Sequence, residues 1–216
     1  MFIELVDDLR CPGPHEKTWL VASANRTEGR DIIEGTLGCP ICRAEYPIRE
    51  GVVWFREPDQ PEAAPPDRSI PADPELAMRL AAFLDLSDGQ GFALLAGSWG
   101  RAAQFLRGVV PTQLVLLNPR PSVAAGDGAS VLEIAAGIPL ADATCRGVAL
   151  DDAHVDIDHL DDAVRVLRPR GRLVAPASTP TPAGVTELAR DGQLWVAERD
   201  TSPPKLVSLQ SRGIAP

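Results

Sequence analysis

The chain has 216 residues, of which 44% are hydrophobic, so it can bury the core of one ordinary domain and of a small second one. Its formal net charge is −9 and its sequence contains no run of Lys or Arg, which argues against nucleic acid as the main partner. No apolar stretch approaches the roughly 20 residues of a membrane span, and the acidic start MFIELVDDLR lacks the basic residues of a signal peptide, so we expect a cytoplasmic protein.

The N-terminal quarter of the chain contains short strand-like runs separated by turn residues, TWLVAS, DIIEGTLGC and GVVWF. These runs predict a small β-rich domain over residues 1–56. Residues 57–74 are crowded with proline and charge and have no apolar period, which is typical of an extended linker. Residues 75–216 then form the second predicted domain.

The second domain alternates helical and strand-like segments. A helix with an apolar stripe at Leu76, Leu80, Phe83 and Leu84 is predicted after Asp73-Pro74, a pair typical of helix starts. Five continuous apolar runs follow, GFALLA, QLVLLN, SVLEIA, RGVALD and GRLVAPA. Continuous rather than alternating runs predict an α/β fold with a mainly parallel sheet that is buried on both faces. Two alternating runs, QLWVAERD and KLVSLQSR, predict an antiparallel hairpin at its edge.

Three of the four cysteines lie in the first fifth of the chain, and Cys39 and Cys42 form a Cys-x-x-Cys turn. In a reducing compartment such clustering favours a metal site over a disulfide. With Cys11 and His15 upstream, the chain offers three thiolates and one imidazole, a four-ligand set of zinc type whose ion would be structural. Pro14 stands where a second knuckle would have its cysteine, so the alternative is a ribbon of plain buried thiols without metal.

The run CPICRAEYPIREGV, residues 39–52, resembles the zinc-ribbon family of small methyltransferase activator proteins, in which CPxC…YPIxDGIP follows an N-terminal L…CPxC. The match covers about the first quarter of the chain and departs from the family at Pro14. Members of that family cover an apolar surface of a separate methyltransferase. The resemblance therefore implies either a protein partner, such as a methyltransferase or a larger complex, or a ribbon that covers the edge of its own sheet.

The run LDDAVRVLRPRGRLVAPA, residues 160–177, resembles a signature near the end of class I S-adenosylmethionine-dependent methyltransferases. The order of segments from Pro74 onward agrees with that family, so the resemblance implies a Rossmann-like sheet with a cofactor site after its first strand. The family's GxGxG turn falls on residues 96–100. The candidate cofactor-binding residues are therefore Gly97, Ser98, Gly100 and Asn118.

Three positions at which the resemblance implies cofactor-binding acids hold Leu94, Asn118 and Ile134. An amide still forms hydrogen bonds but lacks the strength of a carboxylate. The segment PRPSVAAGDGAS is also too short for a crossover helix between two parallel strands. Trp99, inside the turn, is predicted to pack in the core or an interface, and the alternative is that it fills the cofactor cleft. Together these features predict that most of the cofactor site has been lost.

The acidic segment ALDDAHVDIDHLDDAV, residues 149–164, contains a candidate base or metal site in Asp151, Asp152 and His154, of which His154 is a weak catalytic candidate. The favoured interpretation is a solvated loop and a helix N-terminus. Acids stabilise the positive end of the helix dipole, and this segment supplies Asp156, Asp158, Asp161 and Asp162. His159 is predicted at the surface, and Cys145 in the core.

The leading hypothesis is a non-catalytic methyltransferase homologue that binds a protein partner as a scaffold or regulator. The rival is an active S-adenosylmethionine-dependent methyltransferase on a small molecule or protein group, with Gly97 and Gly100 near the methionine, Asn118 on the ribose and His154 as base. Nucleic-acid binding through ribbon residues is a third reading, which the net charge disfavours; it would use Arg10, Lys17, Arg26 and Arg30.

Overall fold

A computed structural model describes residues 1–56, 73–120, 123–126 and 128–201 of the chain. Three α-helices lie in these residues, α1 (Pro74–Phe83), α2 (Ala103–Leu106) and α3 (Ile157–Val166), together with two 3-10 helices, Ile3–Asp8 and Gly97–Ala102. The strands are β1 (Val21–Glu28), β2 (Asp31–Gly38), β3 (Glu45–Arg49), β4 (Val52–Trp54), β5 (Phe92–Ala96), β6 (Gln113–Leu117), β7 (Ala129–Glu133), β8 (Cys145–Ala149), β9 (Leu167–Pro176), β10 (Val185–Arg190) and β11 (Leu194–Arg199).

All of these strands belong to one sheet, in the order β1-β2-β3-β4-β7-β6-β5-β8-β9-β11-β10. The central strands from β4 to β9 pair in parallel. Antiparallel pairs flank them on both sides, β1 to β4 at one end and β9, β11 and β10 at the other. The sheet is therefore mixed, and antiparallel pairs are as numerous as parallel ones.

The two faces of the sheet carry separate apolar cores, because successive strand residues point to opposite faces. In β5, Leu94 and Ala96 belong to one core, and Ala93 and Leu95 to the other. The first core also contains α3 and the N-terminal 3-10 helix, and the second contains α1 and α2. Every residue of β5 is buried, as its continuous apolar run predicts.

The N-terminal strands join the α/β sheet directly. β4 pairs in parallel with β7, with Val52 opposite Val131 and Val53 opposite Leu132. Beyond the strand, the N–H of Phe55 donates to the carbonyl of Glu133 at 2.7 Å. The N-terminal segment with β1 to β4, residues 1–56, is called the ribbon below. It covers the β7 edge of its own sheet, which is one of the two arrangements that the family resemblance implies.

The connection from β6 to β7 contains no helix in its described residues, 118–120, 123–126 and 128, as its length predicts. The N-terminal 3-10 helix contributes Leu5, and the following residues contribute Leu9, to the core that contains Leu117 of β6 and Leu132 of β7. Both leucines are fully buried. The N-terminal segment therefore supplies apolar side chains to a face where a crossover helix is missing.

Most predicted elements fall on the predicted runs, and α1 begins as predicted, with the Asp73 carboxylate accepting from the N–H of Glu75 at 2.9 Å. The edge hairpin differs, since β11 pairs with β10 through a turn at Asp191-Gly192. The second run predicted for that hairpin, KLVSLQSR, lies outside the described residues, as does the predicted linker from residue 57 to 72. None of the helices in the described part of the chain is long and apolar enough to cross a bilayer.

Candidate functional site

The strand order of the α/β sheet reverses between β5 and β8, which lie side by side at its centre. In open α/β sheets, ligands bind in the crevice at the carboxyl ends of the strands beside such a reversal. β5 is followed by Gly97 and Ser98, and β8 is followed by Leu150 and Asp151. The candidate glycine turn and the acidic segment therefore meet at this point.

The Asp151 carboxylate lies on the glycine turn and is held by four hydrogen bonds. Its Oδ2 accepts from the N–H of Ser98 at 2.7 Å and from the Ser98 hydroxyl at 2.8 Å. Its Oδ1 accepts from the N–H of Ala153 at 3.2 Å, and His154 Nδ1 lies 2.6 Å from it. Ser98, Asp151 and His154 are all buried. The turn thus already holds an anion that the chain itself supplies.

Gly97 is glycine because Asp151 leaves no room for a side chain. Its φ is +57°, and a Cβ built on it would lie 2.1 Å from Asp151 Oδ2. Gly100 is also crowded, since its Cβ would lie 2.7 Å from the Cβ of Pro119. Both glycines of the candidate cofactor turn are therefore required by contacts within the chain.

Asn118, the candidate ribose ligand, bridges the ends of β6 and β7. Its Nδ2 donates to the carbonyl of Ile134 at 3.2 Å, and its Oδ1 accepts from the N–H of Ile134 at 2.8 Å. The side chain is buried, with 8% of the residue exposed. Both polar atoms of its amide are therefore engaged by the backbone of Ile134, so neither is free to bind a cofactor hydroxyl.

Trp99 packs in the core, which confirms the favoured interpretation of this residue. It is 1% exposed, it belongs to the core of α1 and α2, and its indole N–H donates to the carbonyl of Leu150 at 3.2 Å. Cys145 is also fully buried as predicted, and burial raises the pKa of its thiol. The glycine turn therefore tolerates a tryptophan because the indole lies among the helices.

The prediction of a solvated loop is wrong for Asp151 and His154, which are buried, and His159 is half-buried. The His159 side chain is 13% exposed, and its ring lies edge to face with that of His154 at 5.5 Å. The helix start itself is as predicted, because Asp156 accepts from the N–H of His159 at 2.9 Å. The sequence pattern could not predict which acid and which histidine of such a charged segment are buried.

The Asp151 carboxylate makes folding stability depend on acid pH. Burial alone raises the pKa of Asp151, but the hydrogen bonds from His154 and Ser98 outweigh it and hold the pKa below its usual range. A carboxylate with a lowered folded-state pKa stabilises the fold above its unfolded-state pKa of about 3.9, and that stability is lost as pH falls through the folded-state pKa. We expect the difference in unfolding free energy between the wild type and Asp151→Asn to narrow below about pH 4.

Urea unfolding of both proteins between about pH 5 and pH 2.5 measures this difference. Other carboxylates titrate equally in the two proteins, so their contributions cancel. A difference that stays constant, or widens, down to the lowest pH contradicts the assigned hydrogen bonds.

The second candidate site lies in the ribbon, where all four predicted metal ligands meet. The ligand atoms of Cys11, His15, Cys39 and Cys42 lie within 4.8 Å of one another. Cys11 Sγ lies 3.7 Å from Cys42 Sγ, and His15 Nε2 lies 3.3 Å from Cys11 Sγ and 3.4 Å from Cys39 Sγ. Tetrahedral zinc, with Zn–S near 2.3 Å and Zn–N near 2.0 Å, requires ligand atoms roughly 3.5–3.8 Å apart. The donor set therefore fits a tetrahedral ion.

Neighbouring groups favour the forms of these side chains that bind a metal, a neutral imidazole and an ionised thiol. His15 Nδ1 lies 2.7 Å from the carbonyl of Glu16, which only accepts, so the proton sits on Nδ1 and the Nε2 lone pair faces the sulfurs. Burial on its own raises the pKa of the Cys39 thiol, but hydrogen bonds from the amides of Cys42 and Ile41 bring it to about 6. His15 thus supplies the fourth candidate ligand, because Pro14 stands where a second knuckle would have its cysteine.

The reversal at β5 and β8 and the reversed strand β11 define an open, mixed α/β sheet with a crevice at its centre, joined to a small cysteine-rich N-terminal region. No protein-family model matches the sequence, and no curated protein is significantly similar to it. Similarity to known proteins is therefore found among solved structures.

Three of these structures illustrate the range. A protein of Corynebacterium glutamicum is 14% identical with a TM-score of 0.45, over 66% of this chain and 85% of that one. The 1,6-didemethyltoxoflavin-N1-methyltransferase of Burkholderia thailandensis, solved with S-adenosylhomocysteine, is 13% identical with a TM-score of 0.42, over 59% and 77%. A geranyl diphosphate methyltransferase in complex with S-adenosylmethionine is 13% identical with a TM-score of 0.38, over 47% of this chain and 48% of that one. The chain thus spans about half the length of the last of these.

Proposed function

We propose that the chain is a non-catalytic homologue of class I methyltransferases that acts as a binding, scaffold or regulatory subunit. The observation that carries this proposal is the Asp151 carboxylate on the glycine turn. A cofactor approaching that turn would have to displace a buried anion held by four hydrogen bonds. Removing a charged group from such a network costs several kcal/mol, which opposes binding.

The neighbouring positions support the same proposal. The amide of Asn118 is paired with the backbone of Ile134 on both its oxygen and its nitrogen. Leu94 and Ile134, two of the positions where the family resemblance implies acids, are buried apolar residues. At these positions the chain therefore lacks the carboxylates that, by the family resemblance, recognise the charged and hydroxylated cofactor in active members.

We expect no saturable heat when the purified protein is titrated with S-adenosylmethionine or S-adenosylhomocysteine, up to a ligand concentration of about 1 mM. The reason is that the turn's amide and hydroxyl donors are occupied by Asp151. Isothermal titration calorimetry is the measurement. Saturable micromolar binding would show a working cofactor site and overturn the proposal.

One observation favours the rival function, an active methyltransferase. His154 is buried beside the strand reversal, and Asp151 orients its ring through Nδ1, as a third group orients a general base in many enzymes. The same calorimetric titration separates the two functions, because the rival requires the cofactor to bind.

We propose that zinc is the resident metal of the ribbon, held by Cys11, His15, Cys39 and Cys42. Four protein ligands leave no open position on a tetrahedral ion, so zinc would supply structural cross-linking rather than catalysis. The cross-link joins the segment before β1 to the turn between β2 and β3. The N-terminal region offers a partner of the scaffold exposed apolar side chains at Trp19, Val21 and Ile41.

A further inference from the structure

Tyr46 lies beside the metal-ligand cluster, on β3. Its hydroxyl oxygen is 3.4 Å from Cys11 Sγ, within hydrogen-bonding distance for a sulfur acceptor. Its ring packs against Phe55, with ring centroids 4.8 Å apart. A thiolate only accepts hydrogen bonds, so the hydroxyl is the donor whenever Cys11 is ionised.

The cysteine corners of the cluster differ in how their charge is supported. Cys11 and Cys39 are buried, whereas Cys42 is exposed to solvent. The Cys39 sulfur accepts from the N–H of Cys42 at 3.5 Å, and the Cys11 sulfur accepts from the N–H of Gly13 at 3.4 Å. Water can solvate the Cys42 thiolate, but a buried thiolate depends on donors from the protein.

We propose that Tyr46 is a positioning residue of the metal centre, donating a hydrogen bond to the Cys11 thiolate and so strengthening the retention of the ion. The proposal rests on the proposed zinc site. Three thiolates and a neutral imidazole give a complex with Zn²⁺ one negative charge, and a second donor at the buried corner lowers the free energy of that charge.

The test compares zinc affinity in the full chain by competition with a chromophoric chelator. Tyr46→Phe is expected to weaken zinc binding by about tenfold, because loss of a hydrogen bond to a metal ligand has effects of 10–100-fold. Phe55→Leu is the matched control, since it removes the ring contact and keeps the hydroxyl, and its affinity is expected to stay within about twofold of the wild type. Substitution with Co²⁺ adds a spectroscopic readout, in which Tyr46→Phe shifts the thiolate charge-transfer band and Phe55→Leu does not.

Urea unfolding of Tyr46→Phe in excess zinc keeps the test independent of general damage to the ribbon. We expect the zinc-loaded variant to unfold cooperatively, as the wild type does. Equal affinity and an unchanged cobalt spectrum in Tyr46→Phe would overturn the role of Tyr46 and leave the metal site intact. Absence of zinc or cobalt binding in the wild type would instead overturn the metal site itself.

Discussion

Cys39→Ser is expected to abolish zinc binding and to lower the free energy of unfolding by about 3 kcal/mol or more. Cys39 is a buried member of the four-ligand cluster, and a serine oxygen neither ionises at neutral pH nor matches the preference of zinc for sulfur. Because the ion binds the folded chain, its binding free energy adds to folding stability. Zinc content by mass spectrometry and urea unfolding measure the two effects.

Cys145→Ala is the matched control for this prediction. Cys145 is as buried as Cys39 but lies on β8, in the α/β part of the sheet. We expect it to retain one zinc per chain and to lose only about 1 kcal/mol of stability. Less than half an equivalent of zinc in wild-type protein that has never met a chelator would contradict the ligand set.

The position of the cluster predicts which backbone contacts would open more often if the metal were lost. Beside Cys11, the N–H of Arg10 donates to the carbonyl of Pro139 at 2.9 Å, and the N–H of Ala141 donates to the carbonyl of Asp8 at 2.7 Å. These bonds join the N-terminal segment to the loop after β7. Faster hydrogen exchange at Arg10 and Ala141 in Cys39→Ser than in Cys145→Ala would show that the ion stabilises this contact.

The fold was predictable where a local pattern decides the structure. A continuous apolar run marks β5, and the Asp73-Pro74 pair marks the start of α1. The union of ribbon and sheet was not predictable, because β4 has only three residues and pairs with β7 through backbone hydrogen bonds that carry no sequence signature. β10 was missed although Asp191-Gly192 is a strong hairpin signal.

The two candidate sites differ in the same way. The spacing of the cysteines predicts that their side chains lie close together, and the four candidate ligands do meet. The missing acids at Leu94 and Asn118 were also visible. The entry of Asp151 into the glycine turn was not, since spacing does not tell which acid of a charged segment is buried.

Gly97→Ala is expected to be among the most destabilising single substitutions in the chain, at about 3 kcal/mol or more. Its Cβ would lie 2.1 Å from Asp151 Oδ2, so the carboxylate must move and its buried hydrogen bonds break. Gly29→Ala is a close control, because Gly29 has the same φ of +57° with no atom within 4 Å of its Cβ. It should lose only the left-handed backbone strain of about 1 kcal/mol.

A double-mutant cycle isolates the carboxylate as the cause. In an Asp151→Ala background the obstructing oxygen is gone, so Gly97→Ala should cost about as much as Gly29→Ala, with a coupling energy of about 1–3 kcal/mol between the two positions. Equal costs of Gly97→Ala in the two backgrounds would mean that Asp151 does not occupy the turn. The proposal of a closed cofactor site would then lose its principal support, because the turn's donors would be open to an external ligand.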